Sequence, residues 1–237
     1  GDVYKRQDLY NARSIPVNAV HVTQCYWDYP RFPYTLTIAR PYGWIFGIPL
    51  QNRCSIGYMY NHTINTKEEV MEDVKEIFKK FDLNPSSDTN SFHFQNYRRN
   101  QNFSDRISYN GNASFFLEPL EATSIATMDF INRCSFEIWN NKTNSDKMNF
   151  EYIEKLDEIE HIIMSHYAAG SIYKTPFWDF AHNVGNESFE RAMKCEKFNH
   201  FVNQAKTYKP GDKIHLHDYG TWSIRSIWEN FTNLNLL

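Results

Sequence analysis

No apolar run in this chain of 237 residues approaches the roughly 18 needed to cross a bilayer, and its mean hydropathy is −0.63. A membrane partner is therefore not expected. Charge of one sign is also lacking. Lys and Arg number 25 against 28 Asp and Glu, for a formal net charge of −3. Without a basic surplus to neutralise phosphates, nucleic acid is not an expected partner either. Cysteine is sparse: Cys25, Cys54, Cys134 and Cys195 stand far apart and form no C-x-x-C pair. That argues against a zinc site and against a disulfide scaffold, and makes a reducing cytoplasm the expected compartment. The chain opens Gly1-Asp2-Val3 without a Met or a signal peptide, as expected of an internal fragment or a processed product. Glycosylation triplets start at Asn61, Asn102, Asn112 and Asn230. Asn is abundant here, and with no secretory signal these triplets read as chance.

The familiar catalytic fingerprints are missing as well. No G-x-G-x-x-G follows a strand, and there is no P-loop, H-E-x-x-H or G-x-S-x-G. His215-Leu216-His217-Asp218 puts two imidazoles on one side of a possible strand, but no third ligand stands at a recognisable spacing. That segment reads as structural, and no metal is expected.

What the chain does have is a core-forming composition, 41% hydrophobic and 22% charged, which rules out disorder. It also has many rings, with Trp, Tyr and Phe making up 16%. Such a load fits either an aromatic-rich core or a pocket for a planar ligand.

The first third reads as β. His21–Tyr26 and Tyr34–Ile38 alternate with period two, and Trp44–Leu50 and Arg53–Tyr60 follow as β-branched and aromatic runs. Spacings this short predict an antiparallel sheet with hairpin connections. Thr66 and Glu69 then form a capping box ahead of a stripe of Val70, Val74, Ile77, Phe78 and Phe81, and Asn84-Pro85-Ser86-Ser87 is expected to end that helix in a loop-rich stretch. Further helices are expected from about Leu120 to Trp139, from a cap at Asn149 to near Gly170, and from about Glu187 to Gln204. Sheet first and helices after is an α+β arrangement. Residues 14–125 are expected to form a sheet-bearing part and residues 126–237 a mainly helical one.

Two segments carry candidate chemistry. Gly43–Leu50 is an aromatic and apolar alternation closed by Pro49, which on plain structural grounds is a strand entering a turn. Gly111–Ile125 opens on Gly-Asn, which lets backbone approach a ligand closely, and carries Pro119 just before a helix whose first amides favour an anion. Glu121, beside those amides, is placed to act as a general base. On these residues alone, Glu118 and Glu121 equally fit a purely electrostatic role at a helix start.

Together and in this order, the two segments resemble the flavin-dependent tryptophan halogenase family. Trp44-Ile45-Phe46-Gly47-Ile48-Pro49 is similar to that family's W-x-W-x-I-P, with Phe46 in place of the second Trp. Pro49–Arg53 and Gly57–Tyr60 resemble its continuation. Gly111-Asn112 and Phe116-Leu117-Glu118-Pro119-Leu120-Glu121-Ala122-Thr123-Ser124 resemble its G-N … F-x-E-P-L-E-S-T-G segment, with Ala122 and Ser124 replacing Ser and Gly. His166-Tyr167 and Thr175-Pro176-Phe177-Trp178 look like its helical substrate region. The resemblance runs from about Ser14 to Trp228.

The resemblance implies an antiparallel portion of a flavin-monooxygenase-like fold. It also implies an enzyme in which reduced FAD, oxygen and a halide, chloride or bromide, yield hypohalous acid that halogenates tryptophan or another electron-rich aromatic. Glu121 matches the catalytic Glu. Gly111, Asn112 and Pro119 match flavin-contacting positions, and Thr123 and Ser124 match the halide-binding amides. Trp44, Phe46, Ile48 and Pro49 match a wall between flavin and substrate. A flavin reductase and a small aromatic molecule are the implied partners. The family's G-x-G-x-x-G and catalytic Lys have no counterpart in this sequence. An aromatic monooxygenase of the same fold, or a non-catalytic aromatic-binding module, are the alternative readings.

Overall fold

The computed structural model describes residues 9–11, 15–104, 106–214 and 219–237. The His215–Asp218 segment lies outside the described residues. In chain order the strands are β1 (Leu9–Asn11), β2 (Ala19–Tyr26), β3 (Leu36–Arg40), β4 (Gly43–Pro49) and β5 (Arg53–Tyr60). Helix α1 (Lys67–Lys80) precedes β6 (Asn84–His93), β7 (Tyr97–Arg99) and β8 (Phe115–Phe116). Helices α2 (Ser124–Trp139), α3 (Ser145–Ala169), α4 (Pro176–Met193), α5 (Glu196–Thr207) and α6 (Ile224–Asn233) complete the chain. The fold class is α+β, as the sequence predicts. The chain divides into two compact units.

The sheet unit, Pro16–Gln95 with Gly170–Asn183, is built on a five-stranded sheet of order β3-β4-β5-β2-β6. Every pairing in it is antiparallel. Strict alternation gives the sheet two faces. On one, Ala19, Cys25, Ile45, Cys54, Ile56, Tyr58 and Tyr60 bury against Val70, Val74 and Ile77 of α1. The capping box starts α1: Thr66 Oγ1 accepts from the Glu69 amide, and Glu69 accepts from the Thr66 amide at 2.8 Å. Such caps contribute about 1 kcal/mol. On the same side, the buried Arg40 donates to both oxygens of Asp73, and Tyr58 donates to Asp73 at 2.8 Å. In that unit, Thr175 Oγ1 donates to the Pro41 carbonyl and Trp178 Nε1 to the Arg40 carbonyl, both at 2.6 Å, so the Thr175–Trp178 motif is pinned to the β3–β4 turn.

The opposite face carries Trp44, Phe46 and Ile48. Phe46 lies across from Gly57 in the β4–β5 register. A Cβ on Gly57 would fall 2.0 Å from the Phe46 ring, so the absence of a side chain at position 57 is what seats that ring.

β6 corrects the sequence reading, because Asn84–Ser87 begins a strand rather than a loop. It is polar along its length, with no apolar alternation to reveal it, and it sits on the sheet edge, where Pro85 is tolerated. Its pairing with β2 is carried by the backbone ladder, joined by a side-chain bond between His21 Nδ1 and Ser91 Oγ at 2.7 Å.

The helical unit holds β1, Asn96–Ala169 and Val184–Leu237. Strands β1, β7 and β8 form a small antiparallel sheet. Around it the rings pack on one another: Phe201 stacks on Tyr219 at 5.0 Å, and Phe198 meets Tyr219, Phe189 and Phe231 within 6.5 Å. In this unit the aromatic load builds a core. Gly185 lets α4 run against the end of α3, since a Cβ there would lie 2.5 Å from the Ala168 nitrogen.

Three of the expected helices differ in their bounds from the structure. Asn149 is not a cap. Asn144 caps α3 by accepting from the Lys147 amide at 2.9 Å, while the Asn149 amide bonds the backbone of Asn102 and Phe103. The helix expected over Glu187–Gln204 is two helices. Tight turns at Lys194 and Cys195 end α4, and Cys195 turns extended ahead of α5. The first of the two starts earlier, at Pro176, a residue suited to an initial turn. Finally, Leu120–Ala122 is a tight turn closed by the Ala122 amide on the Pro119 carbonyl at 3.0 Å, and α2 proper begins at Ser124. Cys25 and Cys54 of the sheet unit and Cys134 of the helical unit are buried thiols, whereas Cys195 is exposed.

Candidate active site

The turn before α2 is strained. Glu121 has φ 64° and Ala122 φ 51°, and among the described residues the other non-glycine positions with positive φ are all Asp or Asn. Left-handed backbone disfavours a Glu or Ala by about 1 kcal/mol each, so the surroundings must hold it. They do so through the Glu121 side chain. Its Oε2 accepts from Trp222 Nε1 and its Oε1 lies against His166 Nε2, each at 3.2 Å. Asn230 of α6 adds a further hydrogen bond.

Both partners are themselves fixed. His166 Nδ1 donates to the Ile162 carbonyl at 2.9 Å; a carbonyl only accepts, so the Nδ1 proton is committed there. A hydrogen bond between Nε2 and the carboxyl therefore needs one proton shared by the pair. Trp222 belongs to a tight turn in which its backbone exchanges hydrogen bonds with Tyr219. Gly220, at φ 57°, donates to Glu158 at 2.7 Å and accepts from Lys155, and Lys197 pairs with Glu158. Burial pushes the Lys155 ammonium below its ordinary pKa.

Burial is also the largest influence on Glu121, and it acts upward. The opposing hydrogen bond and charge of His166, joined by Trp222 and Asn230, win and hold the carboxyl below its usual range. Glu118, three residues earlier, is fully buried and accepts from Tyr167 at 2.7 Å. Consecutive residues of α3, His166 and Tyr167, thus engage the two glutamates of the segment. Each carboxylate thus has specific side-chain partners within the helical unit.

The remaining candidates fall in two places. Gly111–Ala113 forms an exposed 3₁₀ turn tied to α2 by Asn110, which bonds the Met128 carbonyl and Asn132. Gly111 is left-handed, and a Cβ there would meet only Met128 Sδ at 3.9 Å, so its backbone faces open space. Pro119 is exposed, Thr123 buried and Ser124 half-buried. Thr123 makes no side-chain cap to α2, while its carbonyl accepts from the Thr127 amide at 3.1 Å. A left-handed glycine turn thus precedes a helix start without a side-chain cap, main-chain groups of the kind that a flat ligand and a small anion use. Trp44, Phe46, Ile48 and Pro49 lie on β4 of the sheet unit. There Trp44 is buried, Ile48 is exposed, and the Trp44 and Phe46 rings lie 6.2 Å apart.

His166, Trp222 and Asn230 are the residues that sequence reasoning missed. The His166-Tyr167 pair is the available signal, and in sequence it resembles only part of a helical substrate region. Among the described residues no group of three or more His, Cys, Asp or Glu is arranged for a metal, and no helix is long and apolar enough to cross a membrane.

A tryptophan halogenase family model matches residues 6–217. The chain is 26% identical over 211 residues to tryptophan 6-halogenase ThaL of Streptomyces albogriseolus, covering 84% of this chain and 37% of that protein. To tryptophan 7-halogenase KtzQ of Kutzneria sp. (strain 744) it is 24% identical over 213 residues, covering 84% and 37%. Among solved structures, BrvH, a flavin-dependent halogenase from Brevundimonas sp. BAL3, matches with a TM-score of 0.66 at 25% identity, over 78% of this chain and 39% of that one. Xcc4156 from Xanthomonas campestris matches in fold with a TM-score of 0.71 at 17% identity, over 97% and 44%. The chain spans less than half the length of each of these relatives, 37% to 44%.

Proposed function

We propose, from the premise that this chain belongs to the tryptophan halogenase family, that it forms part of an enzyme halogenating tryptophan or another electron-rich aromatic. The observation that carries this reading is the Glu121 turn: a carboxylate fixed by His166 and Trp222, directly before an uncapped helix start. Bound reduced FAD, supplied by a flavin reductase, would provide with oxygen and chloride or bromide the electrophilic halogen. Gly111, Asn112 and Pro119 would hold the flavin against main chain. The amides of Thr123 and Ser124 bind the halide, where the helix start favours negative charge.

Glu121 acts on the aromatic substrate. As the carbon–halogen bond forms and the halogen–oxygen bond of hypohalous acid breaks, its oxygen leaving as hydroxide, the ring becomes a cation; the Glu121 carboxylate takes the proton from the same carbon so that the C–H electron pair restores aromaticity. Trp44, Phe46, Ile48 and Pro49 act as the wall that keeps the substrate from the oxidising centre. Residues 14–125 form the flavin-proximal part and 126–237 the substrate side, in a cytoplasmic enzyme. Bromide, FAD, a flavin reductase and a panel of indoles, given to the full-length protein containing this chain, are expected to yield monobrominated product by mass spectrometry. Products carrying added oxygen and no bromine would overturn the reading in favour of a monooxygenase.

A further inference from the structure

We infer that His166 is the positioning residue of Glu121, setting both the direction and the ionisation of its carboxylate. The inference rests on the reading of Glu121 as the base that takes the ring proton. It starts from three observations. Glu121 sits in left-handed backbone that a Glu does not adopt by preference, so its side-chain bonds help determine where the carboxylate points. His166 Nε2 is one of those bonds, at 3.2 Å from Oε1. Its other nitrogen is locked on the Ile162 carbonyl one helical turn back, which fixes the ring plane and leaves Nε2 committed to Glu121.

The charge argument follows from what surrounds the carboxylate. On α3, His166 faces Glu121, while Tyr167 turns to Glu118. On the Tyr219–Trp222 turn the facing group is the Trp222 indole, which carries no charge. The charged Lys155, Glu158 and Lys197 near that turn are engaged with Gly220 and with one another. On α6 the facing group is the neutral Asn230, while Arg225 and Glu229 pair with each other at 2.8 Å. Glu118, on the same segment, is engaged with Tyr167. Among the described residues, His166 is thus the one basic side chain facing a carboxylate whose side chain keeps 28% of its surface exposed. Without it, the upward pull of burial is opposed by the neutral Trp222 and Asn230 alone, and the carboxyl holds its proton to higher pH, where it can no longer accept one from the ring.

Two substitutions separate direction from charge. His166→Gln places an amide where Nε2 stands, keeping a donor to Glu121 without the charge. His166→Asn places its amide where Nδ1 stands, keeping the Ile162 bond and losing Glu121 altogether. In the full-length protein, the acid limb of kcat for bromination is expected to move up by about one pH unit in both variants. The KM for the aromatic substrate should stay within about twofold, with kcat lower in Asn than in Gln by about tenfold. Independently of any flavin, carbon-13 titration of the Glu121 carboxyl, identified by its loss in Glu121→Gln, should show the same upward move. An unmoved acid limb and an unmoved carboxyl titration in His166→Gln would overturn the inference while leaving Glu121 as the base. Bromination that survives Glu121→Gln would instead overturn the base assignment, and the carboxyl titration would still decide whether His166 controls that group.

Discussion

Glu121→Gln is expected to lower aromatic halogenation by the full-length protein by about 10²–10⁴-fold, with consumption of reduced flavin within about twofold of wild type. The substitution is close to isosteric, and the site's hydrogen bonds accommodate it. The Gln carbonyl still accepts from Trp222 Nε1. The Gln amide donates to His166 Nε2, which in the neutral ring is a free acceptor because the proton sits on Nδ1. Geometry is thus kept and only the basicity is lost. A ring cation with no base nearby reverts or waits on water. Product formation measured by chromatography against flavin oxidation followed by absorbance tests this directly. Equal loss of both would show that the change damaged the flavin site and that Glu121 does not have the role assigned to it.

Gly185→Ala is expected to lower stability by about 2–3 kcal/mol, although alanine is the better helix former by about 1 kcal/mol. The steric effect wins because the added carbon would fall 2.5 Å from the Ala168 nitrogen and 2.6 Å from the Tyr167 carbonyl carbon. These are backbone atoms in a helix, with no flexible side chain to swing aside. Relief requires α4 to move off α3, and the residues displaced first, Tyr167 and its neighbour His166, are those bonded to Glu118 and Glu121. The thermal midpoint should fall by about 5–10 °C in calorimetry, and the Glu121 carboxyl titration should broaden or shift with it. A variant as stable as wild type would show that the two helices are less closely seated than the structure places them.

Much of this architecture could be read before any coordinates. The capping box at Thr66 and Glu69 and the paired runs of β2 to β5 were legible because their signals are local: a cap three residues from its partner, or an alternation over half a dozen positions. β6 was not, since its residues are polar and what makes it a strand is the free edge of β2. Asn149 looks like a cap from sequence, but its amide is consumed by Asn102 and Phe103, a use that only tertiary packing supplies. The candidate site divides the same way. Glu121 and its segment stand out as a motif, while Trp222 joins it from 101 residues away and the left-handed turn has no glycine to announce it.

The four thiols also make the chain its own chemical clock. Under native conditions a maleimide should modify one sulfur, on Cys195, and leave three untouched. Two of the protected sulfurs, on Cys25 and Cys54, report on the sheet unit, and the third, on Cys134, on the helical one. Peptide-resolved labelling under rising urea would therefore show which unit yields first.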